Sequence, residues 1–304
     1  MLKILMDFDG VFTDPREEGA RCQELFDQGL VQMAGLDAEL AGDWLAKARK
    51  GVEAEPTRFG WRNHGRVSAF GVEDPFIRSQ GLGDWLDHAA SGPDANAVLR
   101  AARERLVTNG IASFFALSGH AFNQMSKERI ARGGPVADPE AVASVKRWLS
   151  HECGHSVVVV SNSDPAKLAG FFQSEGLALS EHFRLVGGAG KFELSGKVVR
   201  LADDHFVIGG TEYPVDRPKY QTVLEAERPD AVIGDCLSLD LSLPVALHAR
   251  KAFPGETAFS RGIFLRRRAY TPELSLDAIR AERRARPSTP LRCIEQWSEI
   301  DFSV

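Results

Sequence analysis

The sequence predicts an α/β protein whose doubly wound parallel sheet is interrupted by an inserted helical segment. Strand and helix patterns alternate from Asp138 onward, which is typical of parallel sheets with helical crossovers on both faces. A short apolar run, Leu2 to Leu5, has the composition of one further buried strand. Residues 16–132, which follow it, contain several helical patterns and almost no strand signal. The first strand therefore belongs with the carboxyl-terminal half, and the helical segment separates the two.

Two breaks in the pattern mark the ends of the insertion. Asp14-Pro15 closes the first strand region, and Gly133-Gly134-Pro135 precedes the first α/β unit. We accordingly predict a core domain formed by residues 1–14 and 138–304, and a helical cap domain formed by residues 15–137. The two connections would act together as a hinge.

In the carboxyl-terminal half, apolar runs between turn residues predict strands, and apolar residues at helical spacing predict the helices that join them. The predicted strands are Ser156–Val160, Phe183–Val186, Ala231–Ile233 and Gly262–Leu265, and the predicted helices are Ala141–Ser150, Pro165–Gly176, Tyr220–Glu227, Leu243–Arg250 and Leu274–Arg284. Alternating segments on both sides of Gly209-Gly210 predict a small β-hairpin within residues 191–215. This hairpin would be a second, smaller insertion in the α/β order.

Composition excludes several classes of protein. The 304 residues have a formal net charge of -5, which gives no general attraction to nucleic acid or to anionic membranes. No apolar run approaches the roughly 20 residues that a membrane span requires. The four cysteines have neither the paired spacing of a zinc site nor that of a disulfide framework. We therefore expect no nucleic-acid or membrane partners. We expect a cytoplasmic protein, because scattered cysteines are typical of reduced thiols and too little chain precedes Asp7 for a secretory signal.

Polar residues follow three predicted strands at the point where each strand ends. Asp7 and Asp9 follow the first, Ser161-Asn162 follows a run of four valines, and Asp235 follows the strand that ends near Ile233. Ligands bind at the carboxyl ends of parallel strands. We therefore expect these side chains to meet if the three strands are neighbours.

Two further residues are expected at the same place. Asp240 lies five residues after Asp235, where a turn would bring it back, and Lys219 opens the helix before the third strand. Carboxylates are the ligands that Mg²⁺ prefers, and one can also act as a nucleophile. A second acid can protonate a leaving group, while a lysine and a hydroxyl neutralise phosphoryl oxygens. The set predicts magnesium-assisted phosphoryl transfer.

Four motifs in this set resemble those of the haloacid dehalogenase-like (HAD) hydrolase superfamily. DFDGVFTD, which begins at Asp7, resembles the first motif, and Ser161-Asn162 after VVVV is similar to the second. Lys219 is similar to the third, and GDCLSLD, which ends at Asp240, to the fourth. The resemblance covers residues 1–14 and about 138–270. The helical insertion lies where the superfamily places its first type of cap, and the hairpin lies at the second insertion point.

The resemblance implies a role for each motif. Asp7 would be the nucleophile and Asp9 the general acid and base. Mg²⁺ would be held by Asp7, the backbone carbonyl of Asp9 and Asp235, with Asp240 supporting the metal side. The phosphoryl group would be bound by Ser161 and Lys219.

Departures from the family pattern concern the third motif. Lys219 lies closer to Asp235 than in many members, and Arg217-Pro218 resembles the lysine-proline pair of the family. Arg217 is therefore an alternative for the same cationic role. Gly10 and Asn162 are also predicted to bind substrate.

Two basic segments have both a functional and a packing interpretation. In the segment TRFGWRNHGR, Arg62 and Trp61 would bind an anionic substrate if they face the active site. The alternative, which we favour, is an exposed cap loop whose aromatic residues pack beneath it. The run Arg266-Arg267-Arg268 is expected to form a solvated face rather than a nucleic-acid site.

The sequence thus predicts a Mg²⁺-dependent phosphatase that hydrolyses a small soluble phosphomonoester through an aspartyl-phosphate on Asp7. By the same resemblance, a sizeable cap implies a small phosphorylated metabolite, because macromolecules need an open site and cap closure would exclude water. Two alternatives remain at this stage. One is a phosphomutase of the same superfamily, and the other is a non-catalytic regulatory protein that binds phosphate or a metabolite.

Overall fold

The computed structural model describes residues 1–92, 95–150, 152–196, 204–253 and 258–302. The chain forms two compact units. The first comprises residues 1–14, 63–68 and 135–304, and the second comprises residues 15–62 and 69–134. None of the helices described is long and apolar enough to span a bilayer.

The elements are numbered in chain order. The strands are β1 (Lys3–Met6), β2 (Gly60–Asn63), β3 (Arg66–Phe70), β4 (Ser156–Val160), β5 (Phe183–Val186), β6 (His205–Ile208), β7 (Thr211–Pro214), β8 (Ala231–Gly234), β9 (Gly262–Arg266) and β10 (Leu291–Ile294). The helices are α1 (Arg16–Gln32), α2 (Ala38–Ala54), α3 (Pro75–Ala90), α4 (Ala97–Thr108), α5 (Phe114–Ala131), α6 (Pro139–Leu149), α7 (Pro165–Ser174), α8 (Pro218–Glu227), α9 (Ser242–Ala249) and α10 (Glu273–Ala285). A π-helical turn (Leu237–Leu241) precedes α9, and a 3₁₀ turn (Trp297–Glu299) follows β10.

The first unit contains a six-stranded parallel sheet in the order β10-β9-β8-β1-β4-β5. In its centre, Leu5 of β1 pairs with Val158 of β4 on one side and with Val232 of β8 on the other. The strand order reverses direction at β1, and such switch points form the crevice in which parallel sheets bind ligands. The predicted fold class, a doubly wound α/β sheet, is confirmed.

Aromatic packing anchors the segment that leaves β1. Phe8 and Phe12 are buried, and they meet Phe171 and Phe172 of α7 edge-on, with ring centroids 4.9 Å apart for Phe8–Phe171 and for Phe12–Phe172. Edge-to-face pairs of this kind add to the free energy gained by burying the rings. The loop that contains Asp7 and Asp9 is therefore held in place by the packing of Phe8 and Phe12 in the core.

Three of the described helices begin with the same dipeptide. Asp74-Pro75, Asp138-Pro139 and Asp164-Pro165 start α3, α6 and α7, and in each the aspartate accepts a hydrogen bond from a backbone N–H of the first turn. Aspartate is a favoured N-cap, and proline fits the first helical position because it lacks an N–H group. These helix starts are encoded locally.

The second unit is a helical bundle with its own core. Helices α1, α2, α3, α4 and α5 belong to it, and residues such as Phe26, Leu86 and Phe114 are fully buried between them. The predicted cap ran from residue 15 to 137, whereas the unit ends at residue 134 and does not include residues 63–68.

The sequence reasoning missed a pair of strands, β2 and β3, which form a two-stranded sheet. They are joined at His64-Gly65, where both residues have positive φ angles of 50° and 77°. Positive φ at both central positions is the signature of a type I′ hairpin turn. The sequence Asn-His-Gly, between aromatic and arginine residues, could have predicted this hairpin turn.

The second hairpin was predicted correctly. Strands β6 and β7 are antiparallel, with Ile208 opposite Thr211, and they turn at Gly209-Gly210. The part of the predicted alternation at residues 198–201 lies outside the described residues.

The two glycines of this turn provide a matched test of packing. Both have positive φ, but a Cβ on Gly209 would lie 2.1 Å from the backbone oxygen of Ala278, whereas one on Gly210 would meet nothing within 4 Å. We expect Gly209→Ala to lower the free energy of unfolding by about 2–4 kcal/mol and Gly210→Ala by about 1–2 kcal/mol. Urea denaturation of both variants measures the difference, and equal losses would contradict the contact with Ala278.

Candidate active site

The first acid of the site comes directly after β1. The backbone N–H of Asp7 donates to the carbonyl of Ile233 at 2.9 Å, so Asp7 lies beside the end of β8. Its side chain is buried, and Asp9, two residues later, is half-buried. Two acids two residues apart at the end of a central strand place negative charge in the crevice of the sheet.

Gly10 permits the close approach of this loop to β8. It has a φ of 76°, and a Cβ added there would lie 1.9 Å from Oδ2 of Asp235. A residue with a side chain cannot occupy this position without displacing the acid. The predicted contact of Gly10 with substrate stays a prediction, but its contact with Asp235 explains why glycine stands here.

Three carboxylates converge at this point. Asp7, Asp235 and Asp240 each offer an oxygen atom, and these atoms lie within 4.8 Å of one another. The side chains of Asp235 and Asp240 are 3% and 1% exposed. Burial of like charges is costly unless a cation accompanies them. The predicted convergence of these acids is what the structure shows.

Asp240 reaches the site through a tight return of the chain. Its carboxylate accepts a hydrogen bond from the N–H of Cys236 at 3.1 Å, and its carbonyl accepts one from the Tyr220 hydroxyl at 2.9 Å. A Cβ on Gly234 would lie 2.4 Å from the Cβ of Asp240. The π-helical turn (Leu237–Leu241) makes this return, and such turns often occur at functional sites.

The structure places Lys191, rather than the predicted Lys219, against the acids. Nζ of Lys191 lies 2.5 Å from Oδ1 of Asp7 and 2.9 Å from Oδ1 of Asp240, and the side chain is 1% exposed. Lys219 is exposed, and its Nζ lies 2.7 Å from Oε2 of Glu193. Lys219 therefore does not meet the acids as predicted, because its side chain, at the start of α8, pairs with Glu193 instead.

Burial has the largest influence on the protonation of this cluster. Burial raises the pKa of the Asp7 carboxyl, and Asp240 raises it further, whereas Lys191 lowers it. Burial alone would lower the pKa of Lys191, but Asp240 and Asp7 raise that pKa above its usual range. The ammonium group is therefore charged, whereas burial leaves the pKa of the Asp7 carboxyl above its ordinary value despite the nearby lysine.

Lys191 lies in a glycine-rich loop after β5. Its backbone N–H donates to Oδ1 of Asn162 at 2.8 Å, so the predicted substrate residue Asn162 holds the lysine in place. Gly188 and Gly190 have positive φ angles of 59° and 66°. Glycines between a strand end and a lysine were the signal that could have identified this residue, since such loops allow backbone to approach a bound anion.

Ser161 lies at the same edge of the sheet, directly after β4. It is buried, and its Oγ accepts a hydrogen bond from the N–H of Ser163 at 3.0 Å. Its own N–H donates to the carbonyl of Val186 at the end of β5. This position agrees with the predicted strand-end location, and its role in binding a phosphoryl group stays a prediction.

Arg217, the alternative cation, has a different position from the one expected. Its guanidinium is fully buried and donates to the backbone carbonyls of Lys191, Ser68 and Ser238, the last at 2.7 Å. It therefore holds the main chain at Lys191 and at the turn that leads to Asp240.

Trp61 and Arg62 both have partners within the second unit. Nε of Arg62 donates to Oδ1 of Asp84 at 2.5 Å, and the ring of Trp61 meets Phe115 edge-on at 6.1 Å. Burial raises the pKa of Asp84, and Arg62 lowers it. These contacts agree with the packing interpretation of the segment, and a role in substrate binding stays a prediction.

The arginine triplet is not the solvated face that the sequence suggested. Arg266 is buried, and its guanidinium lies 5.5 Å from the centre of the Trp297 ring. Arg267 is exposed and pairs with Glu295. A strand alternates its side chains between two faces, so consecutive arginines at the end of β9 have different surroundings.

Arg268 fastens both connections to the inserted segment. It donates to the carbonyls of Gly10 at 2.5 Å and Val11 at 3.0 Å, and to the carboxylate of Asp138 at 2.9 Å. The N–H of Asp138 in turn donates to the carbonyl of Phe12 at 2.6 Å. The outgoing and returning chains therefore run side by side, next to the first acids of the site.

An open depression of about 820 Å³ lies elsewhere in the first unit, between α10 and β10. Arginines surround it, among them Arg280, Arg283 and Arg284, and none of the three converging acids lines it. Its size does not make it the active site, because the strand ends and the buried charges lie at the crevice beside β1.

No family model matches the chain, and no curated protein matches it in sequence. Among solved structures, it is similar to a 2-haloacid dehalogenase from Pseudomonas syringae pv. tomato DC3000, with 12% identity, a TM-score of 0.37 and coverage of 88% of this chain and 86% of that one. It is also similar to a haloacid dehalogenase-like family hydrolase from Xanthomonas campestris, with 13% identity, a TM-score of 0.38 and coverage of 98% and 88%. This level of similarity supports no inference about substrate or reaction.

Arg268 and its neighbour Arg267 provide a matched pair for a stability test. We expect Arg268→Ala to lower the free energy of unfolding by about 2–4 kcal/mol, because several buried carbonyls and Asp138 lose their donor. Arg267→Ala should cost less than about 1 kcal/mol, since its ion pair is exposed. Urea denaturation measures both. Similar losses in the two variants would show that Arg268 does not fasten the connections.

Proposed function

We propose that this protein is a Mg²⁺-dependent phosphatase of the HAD-like type, which hydrolyses a small phosphomonoester through an aspartyl-phosphate on Asp7. The main support is the convergence of Asp7, Asp235 and Asp240 around the buried ammonium of Lys191. A buried lysine held by two acids, with a third acid beside them, has no packing advantage over apolar residues of similar volume. The cluster is explained if it binds and transfers a phosphoryl group.

The donor set fits magnesium. Asp7, Asp235 and Asp240 offer oxygen atoms within 4.8 Å of one another, and hard oxygen ligands are the ones Mg²⁺ prefers. Asp7 and Asp235 would hold the ion, together with the backbone carbonyl of Asp9, and Asp240 would support them. Bound there, Mg²⁺ would orient the phosphoryl group and neutralise part of its negative charge.

In the first step, a carboxylate oxygen of Asp7 would form a bond to phosphorus as the bond from phosphorus to the substrate oxygen breaks. Lys191 holds the Asp7 carboxylate in a fixed orientation at 2.5 Å, and its positive charge favours the ionised form that a nucleophile requires. Lys191 and Ser161 would bind the transferring oxygens. A preorganised ammonium stabilises the charge that develops there.

Asp9 would supply and recover the proton. As a carboxylic acid it would protonate the oxygen of the leaving alcohol in the first step. As a carboxylate it would then remove a proton from the water that attacks phosphorus. That attack breaks the Asp7–phosphate bond, releases inorganic phosphate and restores both acids.

Two other functions of the same site differ in their product. A phosphomutase would return the phosphoryl group to a second hydroxyl of the substrate instead of to water. A binding protein would hold phosphate without turnover and would have no use for Asp9. Dehalogenation would not require a cation, and so would leave the convergence of three acids without a purpose.

The first test is phosphate release from p-nitrophenyl phosphate by the full chain. We expect hydrolysis with Mg²⁺, no hydrolysis after chelation, and a loss of about 10³-fold or more in Asp7→Asn. Asp277→Asn, at an exposed ion pair, is the control for expression and assay. Binding of Mg²⁺ without hydrolysis of any phosphoester in a metabolite panel would contradict the proposal.

The second test compares the two lysines. Lys191→Met should lower kcat/KM by about 10²-fold or more, because a charged donor to the phosphoryl oxygens is lost. Lys219→Met should change it less than about 3-fold, since an exposed ion pair contributes little. Thermal unfolding of Lys191→Met and the wild type shows whether the variant is folded, so that a loss of structure is not mistaken for a loss of catalysis. A large fall in kcat/KM in Lys219→Met, with little change in Lys191→Met, would show that Lys219 is the lysine that binds the phosphoryl group.

A further inference from the structure

A tyrosine that none of the motifs includes contacts the acid cluster. Tyr270 lies in the loop between β9 and α10, and its hydroxyl donates to Oδ2 of Asp235 at 2.6 Å. The side chain is half-buried. This is a short hydrogen bond to a charged acceptor, and bonds of this kind are about twice as strong as those between neutral groups.

The same carboxylate oxygen is confined from a second side. A Cβ added to Gly10 would lie 1.9 Å from Oδ2 of Asp235 and 2.6 Å from the hydroxyl oxygen of Tyr270. The backbone of Gly10, the Asp235 carboxylate and the Tyr270 hydroxyl therefore meet at one point. A carboxylate that is 3% exposed and contacted on both sides has little freedom to rotate.

The loop that presents Tyr270 is itself held in place. The N–H of Arg268 donates to Oγ1 of Thr271 at 2.8 Å, and the N–H of Thr271 donates to the carbonyl of Arg268 at 3.0 Å. The Arg268 side chain binds the carbonyl of Gly10, which belongs to the segment that Asp235 approaches. Tyr270 thus stands on a turn that is closed between Arg268 and Thr271 and is bound to the Gly10 segment by the Arg268 side chain.

We propose that Tyr270 is a positioning residue of the cation site, whose hydroxyl holds the Asp235 carboxylate in the orientation that brings it to Asp7 and Asp240. This inference rests on the proposed function, because it requires that the three acids bind a cation. A hydrogen-bond donor behind a ligating carboxylate fixes its orientation before the ion arrives, and loss of such a donor typically costs about 10–100-fold in metal affinity. Tyr270 does not need to contact substrate for this effect.

The test is titration of the full-length protein with Mg²⁺ by isothermal calorimetry, using the wild type, Tyr270→Phe and Tyr213→Phe. Tyr270→Phe keeps the ring and removes only the hydroxyl. We expect its Kd for Mg²⁺ to rise by about 10-fold. Tyr213, in β7, is the matched control within the same unit, and its variant should bind Mg²⁺ as the wild type does.

A second measurement separates positioning from catalysis and from loss of fold. The Mg²⁺ concentration that half-activates p-nitrophenyl phosphate hydrolysis should rise by the same factor in Tyr270→Phe, while the rate at saturating Mg²⁺ stays within about 3-fold of the wild type. The increase in Tm produced by a fixed Mg²⁺ concentration should be smaller in this variant.

The outcomes distinguish this inference from the proposed function. If the wild type binds Mg²⁺ and Tyr270→Phe binds it with equal affinity, the positioning role is overturned and the phosphatase proposal is untouched. If the wild type binds no Mg²⁺, the cation site and the inference are both overturned. A fall in the rate at saturating Mg²⁺ with unchanged Kd would make Tyr270 a participant in the reaction and would overturn the positioning role.

Discussion

The ammonium group of Lys191 is the interaction on which the rest of the site depends. It lies within 2.9 Å of two buried carboxylates that belong to different strand ends, Asp7 after β1 and Asp240 after β8. Removing one partner of such a buried pair lowers the free energy of unfolding by about 3–5 kcal/mol, because the remaining charge is buried without a partner or water. The lysine therefore joins the two motifs and makes their close approach possible. A divalent cation bound beside it would favour the ionised form of the same acids.

Several neutral or main-chain contacts keep this ion pair in position. Asn162 and Arg217 hold the backbone of Lys191 at its N–H and its carbonyl. Gly10 and Gly234 provide the space into which Asp235 and Asp240 fit. None of these residues needs to touch a substrate. They are required because charged side chains must be placed to within a fraction of an ångström if their interactions are to exceed the cost of burial.

Much of the first unit could be predicted because its signals are local. Apolar runs bounded by turn residues marked five of the six strands of the sheet, all but β10, and Gly209-Gly210 marked the hairpin. Acids placed after those runs were found to meet, since parallel strands end at one edge of the sheet. The cationic residue of the third motif could not be assigned in this way. Lys219 matched a motif by its order in the chain, whereas Lys191 is brought to Asp7 from 184 residues away by the loop after β5.

The sequence by itself determined the fold class, the insertion between the first strand and the remainder of the sheet, and the three acids, because periodicity, turn residues and strand-end polarity are properties of short segments. Only the tertiary structure decided which lysine faces the acids, that Arg268 binds the carbonyls of Gly10 and Val11, and that Tyr270 contacts Asp235. These contacts join residues that are far apart in the chain. Each contact depends on side-chain geometry where several loops meet, and no pattern within a short segment predicts that geometry.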